Sequence, residues 1–161
     1  MADLLVKLYD LPSSAQLLEA LRGDGVEIRR AIGPEKHAIT DWAEKKFSRS
    51  WASECDVALS AQPVTCFIAI KDKQVIGFAC YDSTLKGFFG PIGVDAGTQK
   101  KGLGKALLIR TLEAMRDAGY GYAAIGWAGP VEFFKKTVGA TVIEGSEPGV
   151  YKNLVKAGPR Q

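Results

Sequence analysis

Residues 93–106 have the sequence GVDAGTQKKGLGKA, with four glycines and three lysines in 14 residues after an apolar segment. The short apolar segment before it, Phe88 to Val94, is typical of a strand. After it, leucines and a methionine recur at helical spacing, which predicts a helix from about Leu103 to Ala118 that Gly119 ends. The stretch is therefore the loop of a strand–loop–helix unit.

The lysines of this loop are unfavourably placed for an isolated helix. Lys100, Lys101 and Lys105 crowd the predicted N-terminus, where the helix dipole is already positive, and each costs up to about 1 kcal/mol. A bound polyanion would reverse that sign, because first-turn N–H groups are free and Gly102 and Gly104 let its oxygens approach the backbone. A solvated lysine loop is the alternative, and the helix-terminus argument favours the anion site.

Two common phosphate-binding loops do not fit these residues. Gly97 and Gly102 have P-loop spacing, but Leu103-Gly104 stands where that loop needs Lys-Ser/Thr. A dinucleotide fingerprint fails as well, because Leu107 occupies the position of its third glycine.

The bulk properties indicate one globular domain over residues 1–161. Hydrophobic residues make up 47% of the chain and charged residues 24%, which is ordinary for a soluble protein. The net charge of +3 and the lack of aromatics among the lysines argue against nucleic-acid binding. Apolar runs stay well short of the roughly 18 residues of a membrane span, so no membrane partner is expected.

The cysteine and histidine content restricts the chemistry. Cys55, Cys66 and Cys80 are odd in number and form no CxxC pair, which favours reduced, buried thiols over a disulfide or metal site. His37 is the only histidine, so His-based zinc sites and Ser-His-Asp triads lack material. No metal is expected. The N-terminus shows no basic segment leading into an apolar one, and a cytoplasmic location is expected.

Apolar patterns along the chain predict a mixed order of elements. An additional short extended segment is indicated at Asp24–Ala31. The pattern predicts an α/β domain around one mostly antiparallel sheet with at least one crossover. The predicted elements are a strand at 4–9, helices starting at Pro12, at Gly33 and near Trp51, strands at 64–70, 75–81 and 87–94, the helix at 103–118, a strand at 120–127, a helix at 131–138, and strands at 141–144 and 150–155.

Two local features leave alternatives open. Pro91 cannot donate to a strand ladder, so its strand needs an edge or a bulge. Either the strand splays there and leaves backbone groups for an extended ligand, or it merely kinks a barrel-like sheet. Trp42 and Trp51 could line an acceptor pocket, but core packing is the favoured interpretation.

The pattern Gln99-x-x-Gly102-x-Gly104, after a strand ending in Val94-Asp95, resembles the acyl-CoA pyrophosphate loop of GNAT-type N-acetyltransferases. The element order is similar to that family over nearly the whole chain. The resemblance implies a twisted, mostly antiparallel mixed sheet of about seven strands flanked by helices, splayed at the fourth and fifth strands. It also implies transfer of an acetyl group from acetyl-CoA to an amine, by direct attack in a ternary complex.

The resemblance further assigns a donor site. Ile92, Gly93 and Val94 match the splayed strand whose backbone pairs with the pantetheine arm, and the N–H of Ile92 or Val94 could donate to the thioester oxygen. Phe133 and Lys136, in the segment 132–140, match the family's contacts with the CoA tail. The residues matching the pyrophosphate cradle are Gln99, Lys100, Lys101, Gly102, Leu103, Gly104, Lys105 and Ala106.

One position departs from the family pattern. Many members have a tyrosine that protonates the CoA thiolate where this chain has Phe134. A thiol of pKa about 8.5 can leave unprotonated, so the loss slows catalysis without abolishing it. A weak or inactive acyl-CoA-binding module with a regulatory or partner role is the alternative function. The weak candidates for the missing acid or base are Tyr151, Tyr122, Cys80, Asp82, Asp95 and Glu132.

No acidic cluster marks a polyamine or aminoglycoside pocket, and no feature indicates a protein tail. The expected partner is therefore a small-molecule or peptide amine, and a homodimer stays open.

Overall fold

The computed structural model describes residues 1–98, 101–156 and 158. Short 3-10 helices also occur at Leu8–Asp10, Gly33–Glu35 and Gly149–Tyr151. The strands are β1 (Leu4–Lys7), β2 (Glu27–Arg30), β3 (Cys66–Lys71), β4 (Gln74–Tyr81), β5 (Phe88–Val94), β6 (Tyr122–Ile125) and β7 (Thr141–Val142). The α-helices are α1 (Ala15–Gly23), α2 (Lys36–Lys46), α3 (Arg49–Leu59), α4 (Leu103–Asp117) and α5 (Val131–Val138).

The strands form one sheet in the order β2-β3-β4-β5-β6-β1-β7. Every neighbouring pair is antiparallel except β5 and β6, which are parallel and joined by the crossover helix α4. The predicted mixed, mostly antiparallel sheet of about seven strands is confirmed. The extended segment indicated at 24–31 contains β2, an edge strand paired with β3.

The sheet splits between β5 and β6. Their ladder consists of Phe88 opposite Ala124 and Phe89 opposite Ile125, and beyond it β5 continues beside β4 alone. The register of β4 and β5 shifts after Tyr81–Phe89, where β5 carries an extra residue around Gly90-Pro91. The predicted splay and bulge are therefore both present. The predicted fourth and fifth strands correspond to β5 and β6, because the predicted numbering did not include β2.

Helices cover both faces of the sheet. Side chains of α1, α4 and α5 share one hydrophobic cluster with inward residues of the strands, including Phe67 and Phe89. Side chains of α2 and α3 share a second cluster with Ile68 and Phe78 on the opposite face. Strand alternation produces this division, because neighbouring residues of a strand point to opposite faces.

The second cluster confirms the core assignment of the two tryptophans. Trp42 and Trp51 both pack edge-on against Phe78, with ring centroids 6.1 Å and 6.0 Å away. The three cysteines are buried and free of disulfides, as predicted. Cys80 lies with its sulfur 4.0 Å from that of Cys55, and burial raises the pKa of the Cys80 thiol, which keeps it protonated and unreactive.

The predicted strand at 150–155 is wrong. Gly149–Tyr151 form a 3-10 helix, and no strand follows it in the described residues. Asn153, inside the predicted range, has a left-handed φ of 59°, which an extended strand does not contain. Val150 and Val155 are 51% and 90% exposed, so their apolar pattern is not buried on any sheet. In the described part of the chain, no helix has the length and apolar character needed to cross a membrane.

Candidate functional site

The N-terminus of α4 leaves backbone donors outside the helix. Gly102 caps it with a left-handed φ of 81°, and the N–H of Ala106 donates to the Gly102 carbonyl at 2.8 Å, closing the first turn. The N–H groups of Leu103, Gly104 and Lys105 precede this first hydrogen bond of the helix. No carbonyl of a preceding helical turn is therefore available to accept them. Such a set of N–H groups, with the positive end of the helix dipole, favours an anion.

The loop that leads to α4 is held by Asp95. Its backbone N–H donates to the Ile76 carbonyl at 2.9 Å, and its carboxylate accepts the N–H of Gly97 at 3.1 Å. Lys46 lies 3.6 Å from the same carboxylate oxygen. The Asp95 carboxylate therefore stabilises the turn and pairs with Lys46. These contacts explain the residue without a catalytic role. The predicted residues Gln99 and Lys100 lie outside the described part of the chain.

A cavity of about 500 Å³ opens at the start of α4. Seven of its lining residues belong to the predicted donor site. Thr137, next to Lys136 on α5, also lines the cavity and was not predicted, although it lies within the segment 132–140 that matches the family. The seven predicted residues are Val94, Gly102, Leu103, Gly104, Lys105, Phe133 and Lys136.

Four other predicted residues do not line this cavity. Ala106 is fully buried in the core, and Lys101 is exposed on the surface. Ile92 packs partly against the α4 side of the core. Gly93 faces the opposite side of the sheet, where a Cβ would lie 2.6 Å from Cζ of Phe47.

The edge of β5 that faces the gap has unpaired backbone N–H and carbonyl groups, because these groups point alternately to the two sides of a strand. The N–H of Asp95 and the carbonyl of Gly93 both point towards β4. The N–H groups of the alternate residues Ile92 and Val94 therefore point away from β4, towards the side where the β6 ladder has ended. An extended ligand could hydrogen-bond to this edge, next to the cavity at α4.

Phe134 is a core residue. It is 2% exposed, lies edge-on to Phe89 with ring centroids 6.4 Å apart, and does not line the α4 cavity. Phe134 is therefore placed as an ordinary core aromatic.

Two of the weak catalytic candidates, Asp82 and Glu132, are accounted for without a catalytic role. Asp82 accepts the Tyr120 hydroxyl at 2.7 Å and the Gly87 N–H at 2.8 Å, so it closes the loop between β4 and β5. Burial, followed by the hydrogen bond to Asp82, raises the pKa of Tyr120 to about 12. Glu132 is a solvated carboxylate, 76% exposed and 3.8 Å from Lys135.

Tyr151 belongs to a polar cluster that the sequence did not indicate. Its ring stacks on Trp127 with centroids 4.2 Å apart, and its hydroxyl lies in contact with Gly126. Glu54 of α3 accepts a hydrogen bond from Thr84, which also lies beside the Tyr151 hydroxyl. Burial, followed by the charges of Glu54 and Asp3, raises the pKa of Tyr151 to about 12.

Solved structures with a similar fold include several N-acetyltransferases. A GCN5-related glucosamine N-acetyltransferase region of a fungal multi-domain GH3 β-N-acetylglucosaminidase superposes with a TM-score of 0.71 at 13% identity, covering 88% of this chain and 19% of that one. A GCN5-related N-acetyltransferase from Sphaerobacter thermophilus gives a TM-score of 0.65 at 17% identity, covering 88% of this chain and 48% of that one. At such identities the similarity shows the fold alone.

The chain is short beside these structures, since it spans about a fifth of one and about half of the other. A comparison with curated proteins gives no match. Residues 36–139, which run from α2 through the α4 loop to Gly139, match the family described as "Acetyltransferase (GNAT) family". Because this match covers more than half of the sequence and includes the splayed strand and the α4 cavity, the chain belongs to the GNAT acetyltransferase family.

Proposed function

We propose that this protein transfers an acetyl or related acyl group from acyl-CoA to an amine, which is a small molecule or a peptide. One observation carries the proposal: the free N–H groups at the start of α4 border a cavity that adjoins the unpaired edge of β5. A diphosphate followed by an amide-bearing arm has the chemistry to fill both parts. The family membership supports the same reaction class.

The diphosphate is proposed to bind at the α4 end of the cavity. The N–H groups of Leu103, Gly104 and Lys105 provide donors, and the side chains of Lys105 and Lys136 provide positive charge. Gly104 has no side chain to block the approach, and even a Cβ there would stay 3.7 Å from Val94 and 3.9 Å from Phe133.

The acyl end is proposed to lie along β5. The amides of the pantetheine arm pair with the edge at Val94 and Ile92, as an added strand would. One of these N–H groups then donates to the thioester oxygen and stabilises the negative charge that develops on it. Most of the acceleration comes from holding the amine next to the thioester.

The transfer step needs an amine that has lost its ammonium proton. Its lone pair attacks the thioester carbonyl carbon, a C–N bond forms, and the C–S bond breaks with its electron pair going to sulfur. The second nitrogen proton leaves to solvent, and the thiolate takes up a proton there. Phe134 contributes no proton to this step, because a phenyl ring has none to give.

A thiol-release assay tests the proposal. The purified protein is incubated with acetyl-CoA, a thiol-detecting reagent and a panel of primary amines that includes putrescine, glucosamine, tyramine and a lysine-containing peptide. Amine-dependent thiol release above the hydrolysis background is expected. Calorimetric binding of CoA without release for any amine would instead support the acyl-CoA-binding module, and absence of CoA binding would contradict both functions.

A further inference from the structure

Glu54 lies at the point where the sheet splits. Its carboxylate accepts the hydroxyl proton of Thr84, which belongs to the loop between β4 and β5. The neighbouring residue in that loop, Ser83, donates to the Gly90 carbonyl at 2.9 Å. Gly90 directly follows Phe89, the last β5 residue paired with β6. The loop that contacts Glu54 is thus fixed to the vertex of the gap.

Tyr151 approaches the same vertex from the β6 strand. Its hydroxyl contacts Gly126, the residue that follows the last paired residue Ile125. Ile125 points into the core beneath α4, so Gly126 presents its other side to the α2–α3 face. The Glu54 cluster, defined here as Glu54, Thr84 and Tyr151, therefore lies on that face.

The charge of Glu54 has no internal partner in the described part of the chain. Glu54 is half-buried, takes part in none of the ion pairs found there, and has Thr84 as its hydrogen-bond donor. Burial raises the pKa of the Glu54 carboxyl, with the Thr84 hydrogen bond opposing it. Asp3 adds further negative charge near Tyr151. A half-buried carboxylate in this setting favours a cation from outside.

We infer that the Glu54 cluster is the acceptor site: Glu54 binds the ammonium group of a cationic primary amine and accepts its proton, while Thr84 and Tyr151 position that group. This inference rests on the proposed acyl transfer and assigns its substrate class. The acceptor then enters from the α3 face, whereas the donor binds at the α4 cavity. The two meet at the vertex of the β5–β6 gap, as a ternary complex requires.

The proton balance follows from the proposed step. One ammonium proton moves to the Glu54 carboxylate, and the neutral amine attacks the thioester. After the C–S bond breaks, the second nitrogen proton and the Glu54 proton leave to solvent, and sulfur is protonated there. Tyr151, with a pKa of about 12, is a weaker acid than a thiol of pKa about 8.5, so its hydroxyl positions the amine rather than protonating sulfur.

The test compares two substitutions on α3, each of which replaces a carboxylate by the uncharged amide of the same shape. Glu54→Gln removes the proposed ammonium partner, and Asp56→Asn removes an exposed carboxylate of the same helix that pairs with Lys36. Kinetics with the fastest amine of the panel are measured at saturating acetyl-CoA, and acetyl-CoA affinity is measured by calorimetry. Tyr151→Phe is a second variant, which keeps the ring on Trp127 but lacks the hydroxyl.

Glu54→Gln is expected to lower kcat/KM for the amine at least 100-fold, through a lower kcat and a higher KM. The acetyl-CoA affinity should change less than twofold. Tyr151→Phe is expected to raise KM about tenfold with a smaller effect on kcat, and Asp56→Asn should stay within twofold of the natural protein.

Unchanged amine kinetics in folded Glu54→Gln, or in Tyr151→Phe if the former does not fold, overturn the acceptor site but leave acyl transfer intact. Loss of acetyl-CoA affinity in Glu54→Gln points to a structural role and also overturns it. If the natural protein itself releases no thiol with any amine, the proposed function fails first, and the acceptor site fails with it.

Discussion

Phe47 packs directly against the backbone of Gly93, so that a Cβ at Gly93 would lie 2.6 Å from Cζ of Phe47 and 2.9 Å from Cε1 of Phe78. Phe47 also contacts Trp51, with ring centroids 4.9 Å apart. The end of α2 and the start of α3 therefore rest on β5 at the one residue between Ile92 and Val94. The absence of a side chain at Gly93 sets how closely these helices approach the splayed strand.

Gly93→Ala should destabilise the protein by about 1–3 kcal/mol, the usual cost of overpacking a filled core. Phe78 is fully buried. The free energy of unfolding is measured by urea denaturation. Gly121→Ala is the control, because a Cβ there has no atom within 4 Å. A loss for Gly93→Ala no larger than that of the control would contradict the tight contact.

Gly104→Asp should weaken CoA binding more than tenfold relative to Gly104→Asn, because the two side chains have the same shape and differ in charge. A carboxylate at the second helical position interacts favourably with the helix dipole, so the free protein should gain about 0.3–1 kcal/mol while binding is lost. Calorimetry gives the affinity and thermal unfolding gives the stability. Gly102 is a poorer test site, because its φ of 81° strains any side chain. Equal CoA affinities for the Asp and Asn variants would refute a diphosphate at this helix end.

Phe134→Tyr should reduce stability by about 1–3 kcal/mol, because the new hydroxyl enters a buried apolar cluster. It should not raise the rate of thiol release, because the side chain is 2% exposed and faces Phe89 instead of the α4 cavity. The rates are compared at a temperature where both proteins are folded. A faster variant would show that the hydroxyl reaches the sulfur and that the missing acid limits the reaction.

The local part of the site follows from sequence, since its signals lie close together along the chain. The strand, the glycines and the helical leucines of residues 88–118 are contiguous, and five of the eight residues that line the cavity belong to this stretch. Pro91 indicated an irregularity in this strand, because proline removes a donor from the ladder, but the choice of a splay over a kink came from the family resemblance. Backbone chemistry of this kind is encoded by a few residue types.

The Glu54 cluster was not foreseeable for the opposite reason. Glu54 and Thr84 are 30 residues apart in sequence, and Tyr151 comes from a segment interpreted as a strand. A solvated glutamate and a half-buried one look alike in sequence, because burial depends on how α3 lies against the sheet. The apolar pattern at 150–155 misled in the same way, since a strand also needs a partner edge and β7 is only two residues long.

Glu35→Gln should cost about 1 kcal/mol at pH 7, an amount limited by partial solvent screening of the ion pair. Glu35 accepts two hydrogen bonds from Arg29, at 2.9 Å and 2.7 Å, and one from the Ile32 N–H. The Arg29 hydrogen bond is the main cause that lowers the pKa of Glu35 in the folded state.

A carboxyl whose folded pKa is lowered adds stability above its unfolded pKa and loses it as the pH falls through the folded value. The difference between Glu35→Gln and the natural protein should therefore shrink in acid. Glu27→Gln is the matched control, because Glu27 is 3.9 Å from Arg29 and 65% exposed. A difference that stays constant down to acid pH would contradict this role of Glu35.

Glu54→Gln should increase stability at neutral pH in the absence of substrates, whereas Glu35→Gln should decrease it. Burial raises the folded pKa of Glu54, so the folded state binds this proton more tightly than the unfolded state does. Stability therefore falls as the pH rises from the ordinary carboxyl pKa through the raised value, and above that range the full cost is present. Glutamine carries no charge and avoids that cost.

Asp56→Asn provides the contrast on the same helix, because the hydrogen bond from Lys36 lowers the pKa of Asp56. Removing that carboxylate should lose stability at neutral pH and change little in acid. Urea denaturation of both variants at pH 4 and pH 7 gives the comparison. A carboxylate that destabilises the fold and yet is needed for amine turnover is the combination expected of a substrate-binding group. If Glu54→Gln were less stable than the natural protein at pH 7, Glu54 would be a structural residue, and the acceptor site would lose its electrostatic basis.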